Sequence, residues 1–162
     1  MPDDGTRVRD GEARNHYLSD IDGTWETYRE AVDRAWSEYE GRLQPARAAY
    51  EAAFAAAEAA HGHSLDTAWA VYKEAVAKAP STTRREVVAQ ARATYNETAA
   101  GIRKAYNENM AIARENYVRS VQEARSAYQG AIDGELVAHR EAVRSAWTEY
   151  LDLVDTQIVI EE

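Results

Sequence analysis

The residues of this chain best suited to chemistry are its four histidines and the acids near them. Glu58 and His61 stand three apart, the spacing at which a carboxylate and an imidazole on one helix face share a metal ion in ferritin-like sites. A two-metal site needs a second such pair. Seventy-eight residues on, the counterparts are Leu136 and His139, so the carboxylate is missing, and Glu135 is four residues from its histidine. His61-Gly62-His63 offers two imidazoles without an enclosing donor set. Ser64 and Asp66 follow closely, but Ser, His and Asp so spaced on a helix point around the cylinder instead of converging. There is no G-x-S-x-G elbow, no phosphate-cradling glycine loop and no H-E-x-x-H. The expectation is a protein that is not an enzyme, with no catalytic residue, cofactor site or functional metal site.

The elements that would have to position such groups follow from the tyrosines. They are Tyr17, Tyr28, Tyr39, Tyr50 and Tyr72, then Tyr95, Tyr106, Tyr117, Tyr128 and Tyr150. Within each set the spacing is 11, with one doubled gap, and His61 and His139 fill the two vacant slots. With units framed as 13–23 through 68–78 and 91–101 through 146–156, the aromatic is always the fifth residue. The ninth is apolar in all twelve units, and the first is Ala in nine. All four tryptophans, Trp25, Trp36, Trp69 and Trp147, are second residues. Adding 78 carries the first array onto the second, as an internal duplication would.

Positions one, five and nine recur at steps of four, four and three, a period of ~3.67 against the α-helical ~3.6. Such a stripe asks for a nearly straight helix, each arm on the order of 100 Å long at ~1.5 Å per residue. A small first residue lets helices approach while a partner's ring fills the space beside it. Trp or Arg at position two is expected to lie across the rim of this seam, and the tyrosines to form its core.

Between the arms, Pro80 cannot continue the preceding helix, and Thr83 followed by Glu86 has capping-box spacing for a new one. A connection this short returns the chain antiparallel to itself. The expected organisation is a polar tail at 1–12, a helical arm at 13–78 kinked near Pro45, a turn at 79–83, a second arm at 84–156 and a short tail at 157–162. With residue numbers in each pair summing near 167, Tyr72 faces Tyr95, Tyr50 faces Tyr117 and Tyr28 faces His139. Ile158-Val159-Ile160 is the one strand-like segment.

Units such as Thr24-Trp25-Glu26-Thr27-Tyr28-Arg29-Glu30-Ala31-Val32-Asp33-Arg34 resemble the hendecad class of coiled coils over residues 13–156. That resemblance implies an architecture and no single activity. Lipid-surface proteins of the apolipoprotein and synuclein type share the period, but with lysine-flanked apolar faces where this chain has Tyr and Ala. The helical pairs of the WXG secretion family are similar in outline, yet no W-x-G occurs here.

Composition agrees. Of 162 residues 29% are charged, with only three Pro, eight Gly and no Cys, as in long helices. A net charge of −9 without a basic stripe argues against nucleic acid and anionic membranes. No apolar run spans a bilayer, and Met1 to Glu12 has no signal-peptide pattern, so a cytoplasmic location is the default expectation. The fold class expected is all-α, a long antiparallel hairpin of two six-repeat arms that assembles into a larger bundle or filament. The function expected is a structural protein associating with itself through Trp25, Trp36, Trp147, Tyr28, Tyr39, Tyr50, Tyr106, Tyr117 and Tyr128. A module that coats a lipid or protein surface, and a metal-binding bundle, are the alternatives.

Overall fold

The computed structural model describes the backbone of residues 4–159 and the side-chain surroundings of residues 11–155. It contains two helices, α1 (Asp4–Lys78) and α2 (Arg84–Val159), packed against each other as an all-α antiparallel hairpin. Residues 79–83 lie between the helices. Ala79 N–H donates to the Val76 carbonyl and Thr83 N–H to that of Pro80. The Thr83 carbonyl then accepts from the N–H groups of Glu86 and Val87, the first bonds of α2 and the role of an N-cap carbonyl. Glu86 lies in that first turn, where the positive end of the helix dipole favours a carboxylate.

Both outer boundaries differ from expectation. α1 begins at Asp4, inside the segment expected to be a tail. That segment is polar yet holds no proline after Pro2, so nothing in it bars a helix. α2 runs to Val159, so Ile158 and Val159 are helical and not strand-like; Ile160 lies outside the described residues. Pro45 sits within an unbroken α1 on an exposed position. Exposure lets water take the carbonyl that a proline leaves without its N–H partner.

Contacts divide the hairpin into a terminal unit (Met1–Gly41 with Glu123–Glu162) and a turn unit (Arg42–Gln122). In the terminal unit the buried side chains are Ala13, Ala31, Ala35, Ala124 and Ala146; in the turn unit they are Ala57, Ala99 and Ala113. Among the described residues the core is therefore alanine alone. The position-five rings, expected to be core, are half-buried throughout. A narrow two-helix seam can enclose a methyl group but leaves both edges of a large ring open to water.

The outward faces carry isolated i, i+4 ion pairs, including Arg47–Glu51 at 2.9 Å, Arg119–Glu115 at 3.0 Å and Lys104–Glu108 at 3.8 Å. With both partners more than half exposed, each stabilises its helix by about 0.3–0.5 kcal/mol.

Candidate functional site

Each position-five ring meets the position-five ring of the other helix. In the terminal unit the pairs are Tyr17–Tyr150, Tyr28–His139 and Tyr39–Tyr128, with ring centroids 5.5–5.6 Å apart. In the turn unit they are Tyr50–Tyr117 at 5.5 Å, His61–Tyr106 at 5.0 Å and Tyr72–Tyr95 at 5.9 Å. Residue numbers in every pair add to 167, the expected register. The same register sets position one across from position nine: Ala13 across from Val154, Ala57 across from Met110. Small faces large at most levels of the seam, which helps keep helix separation constant; Ala68 across from Ala99 and Leu65 across from Ile102 are exceptions.

Four of these six rungs carry a tryptophan. Trp147 touches Tyr150 and Tyr17; Trp36 touches Tyr39 and Tyr128. Trp25 touches Tyr28 and lies 4.4 Å from His139, and Trp69 stacks on Tyr72 and meets Tyr95 edge-on. Position two stands one turn before position five, so the indole reaches its own helix's ring and the partner's together. In each such rung the other helix offers Arg14, Leu136, Arg125 or Arg92 at position two. The rungs at Tyr50–Tyr117 and His61–Tyr106 have no tryptophan.

The tyrosines thus turn inward and serve the hairpin, whereas the tryptophans remain 46–51% exposed. Of the residues expected at an interface, Trp25 with Tyr28, Trp36 with Tyr39 and Tyr128, and Tyr50 with Tyr117 come together. Tyr106 pairs with His61, and Trp147 with Tyr17 and Tyr150. Two further exposed apolar residues, Leu18 and Leu151, flank Trp147 at position six. Position six shows no consistent residue type along the repeat, so only their shared phase could have marked them.

The two sides of the ladder are unlike. At ~98° per residue, positions two, six, nine and ten fall on one side of position five, and one, four, eight and eleven on the other. The second side forms grooves. In the terminal unit a groove of about 750 Å³ is lined by both helices, among them Asp20, Thr24, Thr27, Glu135, Ala138 and Glu149. In the turn unit one of about 690 Å³ is lined by uncharged residues such as Thr67, Ala68, Ala75, Val87, Thr94 and Ile102, with His63 at its end. Position eight, overlooked in the repeat, is part of this side and supplies the buried Ala31. Its signal was the recurrence of small residues: Ala31, Ala53, Ser64, Ala75.

The candidate ligands do not gather. Glu58 is exposed at position two while His61 is turned into its rung with Tyr106. Ser64 is half-buried on the groove side and Asp66 exposed. Glu135 is half-buried, and the Nδ1 of His139 is buried without a hydrogen-bond partner among the described residues. His16 Nδ1 instead pairs with Asp20 at 2.9 Å. No group of three or more His, Cys, Asp or Glu among the described residues is placed to hold a metal ion, and no described helix is long and apolar enough to cross a membrane. No family model matches this chain, and neither a curated protein nor a solved structure matches it.

Proposed function

We propose that this chain is a non-enzymatic structural protein, a hendecad coiled coil that self-associates to act as a spacer, scaffold or filament subunit in the cytoplasm. The observation that carries the reading is the imbalance between what the chain buries and what it leaves out. Among the described residues only eight alanines are buried, while twelve large apolar side chains are exposed, four of them tryptophans. Monomers rarely leave so much apolar surface uncovered, and pairing of hairpins into four-helix bundles is a common way of covering it.

The uncharged groove of the turn unit favours a second reading, in which the chain sheathes the apolar surface of a partner protein or lipid. Sedimentation equilibrium of the purified chain, alone and with phosphatidylcholine vesicles, separates the two. A stable oligomer in the absence of vesicles supports self-association. A monomer that co-sediments with vesicles overturns it in favour of the second reading, and a monomer that ignores them leaves only a protein partner.

A further inference from the structure

We infer that copies of this chain meet through the tryptophan side of the terminal unit, with the groove side left outward. The inference rests on the self-association proposed above and says which surface performs it. Three observations carry it.

The first is where the apolar residues lie. Among its described residues the terminal unit has seven exposed large apolar side chains, and five of them, Leu18, Trp25, Trp36, Trp147 and Leu151, occupy positions two and six. Leu153 is on the groove side and Val137 points away from the seam at position three. By register, Trp147, Leu18 and Leu151 lie within about one helical turn of one another, an exposed apolar cluster of the kind that marks interaction sites. Tryptophan is also the residue most enriched at interface anchors.

The second is charge. Across residues 13–41 and 123–156, positions two, six and ten carry five arginines, among them Arg29 and Arg140, and five carboxylates, among them Asp22 and Asp33. That side is neutral in a chain of net charge −9. Positions one, four, eight and eleven of the same segments carry Asp20, Glu38, Glu123, Glu135 and Glu149 against Arg34 alone. Two copies meeting on their groove sides would bring like charges together, which disfavours that pairing. Two copies meeting on their tryptophan sides would not.

The third is symmetry. Each copy brings three tryptophans and two leucines, 42–51% exposed, to this same side, so the side can face itself in a second copy. Pairing like side on like side is isologous and closes at two copies.

Leu151 and Leu153 make a matched test, since they are near neighbours in sequence, are 42% and 47% exposed, and lie on opposite sides. Sedimentation equilibrium is run on the full chain, on Leu18→Glu with Leu151→Glu, and on Leu153→Glu, with helicity checked by circular dichroism. Neither leucine at position six belongs to a ring pair, so helicity is expected to be retained. The double variant is expected to weaken association at least tenfold, and Leu153→Glu to change it less than twofold. Tryptophan emission of the wild type is expected to shift to the blue as concentration rises through the association range. If Leu153→Glu dissociates the oligomer and the double variant does not, the groove side is the interface and this inference is wrong while self-association stands. A wild type that is monomeric throughout removes self-association itself.

Discussion

The imidazole of His139 lies 4.4 Å from the indole of Trp25, with its Nδ1 buried and unpartnered among the described residues. In four of the six rungs both position-five rings are tyrosine, whose hydroxyl is carried toward the edge of the seam, where water can reach it. Histidine is shorter, and its polar atoms sit where the tyrosine ring would present only carbon. An unsatisfied buried nitrogen costs about 1–3 kcal/mol. His139→Tyr is therefore expected to stabilise the protein by about 1 kcal/mol, read as a higher denaturation midpoint at unchanged slope. A lower midpoint would mean that the imidazole has a partner in solution.

Tyr117 meets Tyr50 at 5.5 Å without a tryptophan over the pair, and it is half-buried. A fully enclosed aromatic would cost about 3–5 kcal/mol on truncation; half-burial puts Tyr117→Ala nearer 2 kcal/mol. Glu115→Ala removes only an exposed pair with Arg119, worth about 0.3–0.5 kcal/mol. Chemical denaturation of the two variants should differ several-fold in effect. Equal effects would show that the ladder adds nothing beyond surface contacts.

Thr27 and Ala138 line the same groove from α1 and α2. Spin labels on cysteines introduced at these two positions are expected to lie within about 2 nm of each other. Slippage of the hairpin by one 11-residue unit would leave the pattern of aromatics almost intact while displacing the labels by roughly 16 Å along the helix. A broad or doubled distance distribution would reveal such slippage, and a separation far beyond 2 nm would rule out the antiparallel pairing.

How much of this was readable in advance varies from feature to feature. The tyrosines were decisive because a ring every 11 residues, in two arrays separated by Pro80 and Thr83, permits an antiparallel register in which rings meet rings. That register is the one found. The alanine-only core was harder to foresee. Burial depends on how many helices surround a side chain, and one seam does not enclose a tyrosine. The start of α1 at Asp4 is not legible in the sequence, because polar composition is shared by tails and by helices. The two unlike sides were missed as well. Position two stands out through its tryptophans and position eight through its small residues, but positions four and six vary from unit to unit. Only their arrangement on a cylinder separates a charge-balanced side from an acidic one.

Pro45 tests the continuity of α1 directly. The helix passes through it, yet proline in a helix interior costs about 3 kcal/mol relative to alanine, from the missing N–H and the clash of its ring with the preceding turn. The site is exposed at position eleven, so alanine there meets no packing constraint. Pro45→Ala is expected to raise stability by about 2–3 kcal/mol, with helicity measured by circular dichroism unchanged or slightly higher. Gly62→Ala provides the scale. A Cβ at Gly62 would meet nothing within 4 Å, and the change should stabilise by about 1 kcal/mol through helix propensity alone. If Pro45→Ala gains less than Gly62→Ala, the chain around residue 45 is already relieved of proline's cost. The helix would then be broken there in solution, and α1 would be two helices.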